Sequence, residues 1–166
     1  MMMRQWLKTI AGLFILVFLD QMTKIWALGV LRGSEPIPVI SGVLEFRYVE
    51  NRGAAFGIMQ NRQWFFVLIT VVVLGVLLWM LPKIPRDSHY CGLRICLYFI
   101  GAGAVGNMID RILRKYVVDF IYFRLIDFPV FNVADIYVTV AAVLLIVLVV
   151  FYYKDEDFDK IFSKRA

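Results

Sequence analysis

Four long apolar runs constrain this chain more than any other feature of its sequence. The runs cover about residues 6–31, 64–81, 93–112 and 133–153. A helix needs about 20 apolar residues to cross the roughly 30 Å hydrocarbon core of a bilayer, and each run is close to that length. Because 61% of the 166 residues are hydrophobic, the chain has more apolar surface than one soluble core could bury. We therefore expect a single membrane domain over residues 1–166, an all-α membrane protein with four transmembrane helices.

The first run could be mistaken for a secretory signal peptide, since Arg4 and Lys8 precede its apolar centre. However, no small-residue cleavage site follows the apolar stretch, and Asp20 interrupts the run instead. We expect this segment to be retained as the first helix. The tail after Tyr153 has mixed charge, and we expect it to be frayed.

An even number of spans places both termini on one side of the membrane and residues 32–63 and 111–130 on the other side, which we call outer. Lys and Arg number nine on the inner side and eight on the outer side, so the positive-inside rule hardly separates the two orientations. The basic residues before the first span favour cytoplasmic termini. The outer end collects the unusual polar residues, which are Asp20, Lys24, Asn51, Asn107, Asp110, Arg111, Asn132 and Asp135.

The net charge of +5 comes from basic residues that are scattered among the predicted helix ends. No soluble face gathers them, so nucleic acid is not an expected partner, and anionic lipid headgroups are. The outer segment over about residues 36–57 contains β-formers between turn glycines, which favours short strands over a helix. We expect a small β-like cradle between helices 1 and 2, on the periplasmic side if the termini are cytoplasmic.

In the first span, Asp20 and Lys24 are four residues apart and share one helix face. They can form an internal ion pair, reach to the lipid headgroups, or line a polar cavity. A charged side chain at the bilayer centre costs about 2.5 to 3.5 kcal/mol on insertion scales, and less near the interface, so all three interpretations remain open.

The third and fourth spans carry further polar residues at their outer ends. Asn107 and Asp110 share one face of helix 3, where they can hydrogen-bond neighbouring helices, pair with Arg111 or take part in chemistry. At the start of helix 4, Asn132 suits the N-cap, and Asp135 at the N3 position would meet free N–H groups and a favourable helix dipole. Capping explains Asn132, whereas Asp135 also faces the predicted cavity.

Several catalytic classes are disfavoured by the residue inventory. The single histidine, His89, lies on the predicted inner side, and no G-x-S-x-G motif occurs, so neither a serine–histidine protease nor a histidine-ligated zinc site is expected. Aspartates are the remaining candidates for catalysis, and one of them is Asp119 in the apolar stretch "KYVVDFIYF". Asp127, which precedes Pro129, suits an ordinary turn.

If Asp119 and Asp135 approach to about 5 Å, two ionised carboxylates would repel by roughly 3 kcal/mol at an effective dielectric near 20. That repulsion is equivalent to about two pKa units, so one carboxyl group would keep its proton near neutral pH. A carboxylate and a carboxylic acid that share a water are the catalytic arrangement of aspartic proteases. A small proton-coupled transporter or an accessory subunit is the alternative, because intramembrane Asp, Asn and Lys also mark ion routes.

Five short blocks in order resemble those of lipoprotein signal peptidases, the signal peptidase II family. These blocks are "DQMTK" (Asp20 to Lys24), "NRGAAFG" (Asn51 to Gly57), "GNMIDR" (Gly106 to Arg111), "VVDF" (Val117 to Phe120) and "FNVAD" (Phe131 to Asp135). Any one block is weakly specific, but five in this order around four spans are highly specific.

The resemblance implies a bacterial inner-membrane aspartic endopeptidase that removes signal peptides by cutting before a diacylglyceryl-modified cysteine. It implies that Asp119 and Asp135 are the catalytic pair. Substrate-binding or supporting residues would be Asp20, Lys24, Asn51, Gly53, Asn107, Asp110, Arg111, Asn132 and Ala134. We expect no metal and no cofactor, diacylglyceryl-prolipoproteins and membrane lipids as partners, a monomer, and an active site on the periplasmic or outer face.

One position departs from the family pattern. Members often have glycine between the D-R and V-V-D blocks, where this chain has Lys115 and Tyr116. A glycine-specific turn geometry is therefore not assumed at this place, and the catalytic assignment does not depend on it.

Overall fold

The computed structural model describes residues 2–53 and 62–162. The helices are α1 (Met2–Val30), α2 (Gln63–Met80), α3 (Cys91–Arg114), α4 (Val133–Val147) and α5 (Asp155–Phe162). The strands are β1 (Ile37–Ile40), β2 (Leu44–Asn51) and β3 (Val117–Phe123). Short 3-10 turns occur at Ser88–Tyr90 and Arg124–Ile126, and α4 continues as a π-helical turn over Leu148–Tyr152.

Four helical segments are long and apolar enough to cross a membrane, and they confirm the four predicted spans. They are Ile10–Val30, Gln63–Met80, Ser88–Arg114 and Val133–Tyr152. Many of their large apolar side chains are exposed, as a hydrocarbon environment requires and water would disfavour. These lengths fit a multi-pass membrane protein.

Helix α3 is the central helix, since α1, α2 and α4 all pack against it. Its buried small residues permit this close packing. A Cβ at Gly103 would lie 2.5 Å from the carbonyl oxygen of Ala134, so α4 can approach α3 this closely only because residue 103 has no side chain.

The three strands form one antiparallel sheet in the order β1-β2-β3. The predicted β-like cradle between helices 1 and 2 is present in β1 and β2, while residues 54–57 of the predicted segment lie outside the described residues. Asp119 lies on strand β3, which pairs with β2 and places Asp119 opposite Val49. Pairing with β2 satisfies the backbone hydrogen bonds of this apolar stretch.

The turn after α3 adopts a left-handed conformation at a lysine. Lys115 has a φ of 66°, in the left-handed region that glycine adopts freely and that costs other residues about 1–2 kcal/mol. The turn therefore has the glycine-type geometry without glycine. The Lys115 side chain offsets part of this cost, since its ammonium donates to the carbonyl oxygen of Ile112 at 3.1 Å and lies 5.2 Å from the centroid of the Trp64 ring.

The C-terminal tail is not frayed over the described residues, contrary to expectation. Asp157 is buried and stabilises the start of α5, because its carboxylate accepts hydrogen bonds from the Lys154 backbone N–H and the Tyr90 hydroxyl at 3.1 and 2.9 Å. The first of these bonds is the main cause that lowers the pKa of Asp157 to about 2. Helix α5 is thereby fixed to the end of the bundle where α3 begins.

Candidate active site

A buried ion network joins α1 to α3 at the end of the bundle that carries the sheet. The Lys24 ammonium lies 3.0 Å from a carboxylate oxygen of Asp20 and 3.3 Å from one of Asp110, and all three side chains are fully buried. The ammonium also donates to the side-chain oxygen of Asn107 at 2.8 Å. The ion-pair interpretation of Asp20 and Lys24 is therefore correct, and the pair also supports the polar cluster beside it.

Asp110 holds the end of α3 in place with several donors. It accepts from the Arg114 guanidinium at 2.5 Å and from the backbone N–H of Val118 at 3.0 Å, so it pairs with Arg114 and Lys24, not with Arg111. The side-chain amide of Gln21 donates to Asp110 at 3.3 Å and to Asp20 at 3.1 Å. Gln21 was not among the predicted site residues, although a side-chain amide next to Asp20 in a membrane span indicates a polar contact there.

Asp20 also connects the first span to the last one. One of its oxygens accepts from the backbone N–H of Ala134 at 2.9 Å, one of the free N–H groups in the first turn of α4. Helix α3 passes so close that a Cβ at Gly106 would overlap the Asp20 carboxylate. Ala134, predicted as a supporting residue, therefore contributes its backbone as well as a small buried side chain.

The start of α4 forms the capping box that the sequence predicts. The Asn132 side chain accepts from the Asp135 backbone N–H at 3.1 Å, and Asp135 accepts from the Asn132 backbone N–H at 3.1 Å. The other oxygen of Asp135 accepts from the side-chain amide of Asn107 at 2.8 Å. Asp135 is therefore held by one bond from its own helix and one from α3.

Asp119 lies on β3 and is 2% exposed. Each of its carboxylate oxygens accepts one amide: Asn51 donates at 2.8 Å and Asn132 at 2.6 Å. Asn51 is itself oriented by the backbone N–H of Gly53, which donates to its side-chain oxygen at 3.0 Å. Strands β2 and β3 and helix α4 thus fix the Asp119 carboxylate together.

Burial raises the pKa of Asp119 to about 7, with the nearby charge of Asp135 as the second cause. The hydrogen bonds from Asn51 and Asn132 and the Lys24 charge oppose this shift in pKa without cancelling it. Charge repulsion was the predicted cause of a raised pKa, whereas burial has the larger effect on the pKa of Asp119 in the structure. Either way, one carboxyl group of the pair keeps its proton close to neutral pH.

Two further residues define the limits of this cluster. Arg111 lies at its edge, where the guanidinium donates to the Asn107 carbonyl oxygen at 3.4 Å and lies 5.0 Å from the centroid of the Phe66 ring. Asp127 lies outside the cluster, in a turn with a φ of 48°, and accepts from the Tyr122 hydroxyl at 2.5 Å. This position agrees with the prediction that Asp127 is an ordinary turn residue.

The structure brings together the side chains or backbones of all the residues that the sequence analysis selected. They are Asp20, Lys24, Asn51, Gly53, Asn107, Asp110, Arg111, Asp119, Asn132, Ala134 and Asp135. The arrangement has two carboxyl groups that share one amide residue, one of them able to hold a proton near neutral pH. Such a pair can activate water and protonate a carbonyl oxygen.

Comparison with known proteins gives consistent matches over nearly the whole chain. A family model described as "Signal peptidase (SPase) II" matches residues 12–151. The lipoprotein signal peptidases of Streptococcus pyogenes serotype M5 (strain Manfredo) and serotype M18 (strain MGAS8232) are each 40% identical over 149 residues, which is 90% of this chain and 95% of the relative. A solved structure described as a bacterial membrane enzyme is 30% identical with a TM-score of 0.78, and the match covers 89% of this chain and 92% of that one.

Proposed function

Because the chain belongs to the signal peptidase II family, we propose that its carboxylate pair cleaves diacylglyceryl-modified bacterial prolipoproteins just before the modified cysteine. Family membership makes the chain an aspartic peptidase that removes prolipoprotein signal peptides. The comparisons do not support the alternative of a proton-coupled transporter or an accessory subunit. The observation that carries the residue assignment is the sharing of Asn132 by Asp119 and Asp135.

We assign Asp135 as the base and Asp119 as the acid. Asp119 suits the acid role because its pKa of about 7 lets it carry a proton near neutral pH. Asp135 then takes the base role, and N–H donors from Asn132 and Asn107 hold one of its oxygens each in a fixed orientation.

In the first step, Asp135 removes a proton from water while the water oxygen bonds to the carbonyl carbon before the cysteine. Asp119 gives its proton to the carbonyl oxygen, which produces a neutral diol. In the second step, the C–N bond breaks, one diol hydroxyl returns a proton to Asp119, and the proton on Asp135 passes to the cysteine nitrogen. One water is consumed, and both carboxyl groups regain their starting protonation.

The remaining residues of the cluster hold this pair in position. Lys24 and Asn107 link the ion network of α1 and α3 to Asp135, and Asn51 orients Asp119 from the sheet. A buried, fully hydrogen-bonded support of this kind limits the movement of both carboxyl groups. We therefore assign positioning roles to these residues and to Asp20, Asp110 and Ala134.

The proposed topology places the carboxylate pair at the outer surface of the bacterial inner membrane and both termini in the cytoplasm. All parts of the cluster lie at the end of the bundle where α1 and α3 finish and α4 begins. Water and the cleavage site are available at a membrane surface, whereas the apolar signal helix remains beside the spans. We expect a monomer surrounded by lipid, with the chain as one membrane domain.

The test is cleavage by the purified protein of a prolipoprotein with and without its diacylglyceryl group. We expect cleavage of the modified precursor only, with the modified cysteine as the new N-terminus by mass spectrometry. Cleavage at another bond, or equal cleavage of the unmodified precursor, would contradict the proposal.

The orientation is tested in whole cells with a membrane-impermeant thiol reagent. The reagent is applied to variants that carry a single cysteine either in the tail or in the sheet.

A further inference from the structure

Two turns meet at the end of the sheet that lies away from Asn51. One connects β1 to β2 and the other follows β3, and the backbone N–H of Leu125 in the second donates to the carbonyl oxygen of Val43 in the first at 3.4 Å. Both turns expose large apolar side chains, and those of Leu125 and Ile126 are 69% and 68% exposed. We call the side chains of Ile40, Leu125, Ile126 and Phe128 the apolar tip. An exposed apolar group of this kind marks a contact surface.

The sheet runs across the end of the bundle and does not rise steeply from it. At the start of β3, the backbone N–H of Val118 donates to an Asp110 carboxylate oxygen that also lies 3.3 Å from the Lys24 ammonium. Two residues later, the centroid of the Phe120 ring lies 5.9 Å from that of the Trp26 ring. Lys24 and Trp26 differ by about 3 Å along the axis of α1, whereas two strand residues span about 6.6 Å. Strand β3 therefore advances more across the bundle than along it.

The lipid-facing surface of α1 continues into the sheet. Trp26 belongs to the segment Ile10–Val30 that can cross a membrane, and its side chain is 39% exposed. Its ring meets Phe46 of β2 edge to face, with centroids 5.2 Å apart. Tryptophan is enriched where a span meets the lipid headgroups, so this contact joins the sheet to α1 at the depth of the bilayer surface. Leu125 follows Phe120 by only five residues, or at most about 17 Å of chain.

Basic and aromatic side chains lie close to the apolar tip. The Arg47 guanidinium lies 5.4 Å from the centroid of the Tyr122 ring, and Arg124 lies 3.4 Å from Glu45 with 63% of its side chain exposed. Exposed cations and tyrosine beside apolar groups are typical of surfaces that lie in the headgroup region of a bilayer. There the cations meet lipid phosphates, so this composition favours phospholipid over a second protein as the occupant of the tip.

We propose that the apolar tip is a membrane anchor, which inserts into the phospholipid leaflet at the end of the bundle where α1 finishes. Arg47 and Arg124 then lie at the level of the lipid phosphates. The anchor goes beyond the proposed function, because it requires neither substrate nor cleavage. Since Leu125 follows Asp119 by six residues, an anchored tip also holds β3, and with it the Asp119 carboxyl group, at a fixed depth.

The test measures the depth of the tip by spin labelling. The background variant is Cys91→Ser with Cys96→Ala, since these are the two cysteines of the chain. Ile126→Cys is added, labelled with a nitroxide, and placed in nanodiscs of phosphatidylethanolamine and phosphatidylglycerol with one protein copy per disc and no substrate. Collision rates with oxygen, which concentrates in lipid, and with a neutral nickel chelate, which stays in water, are then compared.

Two reference positions calibrate this measurement. Ile15→Cys lies on the exposed face of the first span, and Glu35→Cys lies in the exposed loop between α1 and β1. We expect the oxygen-to-nickel ratio at Ile126→Cys to be several times that at Glu35→Cys and to approach that at Ile15→Cys. A ratio equal to that at Glu35→Cys overturns the inference. With one copy per disc and no substrate, neither a second copy nor a substrate acyl chain can produce the expected result.

A second measurement uses the unchanged protein, so it does not depend on the folding of a variant. Nanodiscs that contain a phosphatidylcholine with a photoreactive diazirine on one acyl chain are irradiated without substrate, and labelled residues are identified by mass spectrometry. We expect labels on the apolar tip as well as on the spans. Labels on the spans alone overturn the inference. Cleavage of prolipoprotein by the same preparation tests the proposed function separately, so either proposal can fail without the other.

Discussion

The side-chain amide of Asn132 donates a 2.6 Å hydrogen bond to Asp119 and so connects the start of α4 to strand β3. The backbone N–H of the same residue donates to Asp135 at 3.1 Å. One helix cap therefore sets the positions of both carboxyl groups. The pair is correctly arranged only when β3 is paired with β2 and α4 is capped.

Replacing either member of the pair tests the catalytic assignment. We expect Asp119→Asn and Asp135→Asn to fold and to reduce kcat by at least about a hundredfold, since each removes a proton donor or acceptor. The measurement is cleavage of diacylglyceryl prolipoprotein, together with thermal unfolding to verify folding. Asp127→Asn is the matched control and should keep most activity, because Asn tolerates the left-handed turn at this position. Substantial turnover by either pair variant contradicts the assignment.

The pH dependence of kcat follows from the pKa of Asp119. Below pH about 7 this group keeps the proton that it must donate, and above pH about 7 it loses it. We therefore expect kcat to fall by about tenfold per pH unit on the alkaline side. The measurement is the initial rate between about pH 5 and pH 9 at saturating substrate. A rate that stays constant to the top of this range contradicts Asp119 as the acid.

Asn51→Ala should move this alkaline limb to higher pH. The Asn51 amide donates to Asp119 at 2.8 Å and lowers its pKa, so its removal raises the pKa of Asp119 further. A purely structural role for Asn51 would reduce the rate at all pH values without moving the limb. The pH profile of the variant, compared with that of the unchanged protein, distinguishes these two roles.

Lys24→Met should destabilise the fold strongly. The change leaves the fully buried carboxylates of Asp20 and Asp110 without their shared cation, and removal of one partner from a buried ion pair costs about 3–5 kcal/mol. Unfolding in detergent is the measurement. Arg32→Met is the control, because Arg32 is 59% exposed in its pair with Glu50, and we expect a change below about 1 kcal/mol. Similar losses for both variants would contradict this account.

Gly106→Ala tests the close contact of α1 and α3. Its added methyl group would overlap the Asp20 carboxylate, and we expect a loss of about 1–3 kcal/mol in stability as well as reduced activity. Gly75→Ala in α2 is the matched control, since a Cβ there meets nothing within 4 Å. Alanine also favours helix formation, so this control should not be destabilised. Thermal unfolding of the two variants gives the comparison.

The four helices long enough to span a membrane and the α4 cap could be predicted because their signals are local. The length of the apolar runs predicted the four membrane-spanning helices. The three-residue spacing of Asn132 and Asp135 predicted the cap at the start of α4. Strand β3 was missed because its stability depends on β2, and the bond from Asn51 to Asp119 joins positions 68 apart. Without that pairing, a short apolar stretch with one aspartate has no distinct periodicity.

The tail illustrates the same limit. Helix α5 was not predicted because its own composition is polar, and its stabilising contact comes from Tyr90, which is 67 residues away from Asp157. The left-handed turn at Lys115 was missed for a different reason. Lysine does not indicate that conformation, and the contacts to Trp64 and Ile112 that support it are tertiary or cap contacts.

The hydrogen bond from the Ala134 backbone to Asp20 has a consequence for biosynthesis. Asp20 lies on α1, and Ala134 lies on α4 and is translated 114 residues later. During translation the first helix therefore carries a carboxylate that lacks one of its final partners until the fourth helix has been inserted. Asp135 lies on that same helix, so the nascent chain cannot assemble the carboxyl pair of Asp119 and Asp135 before α4 has been made.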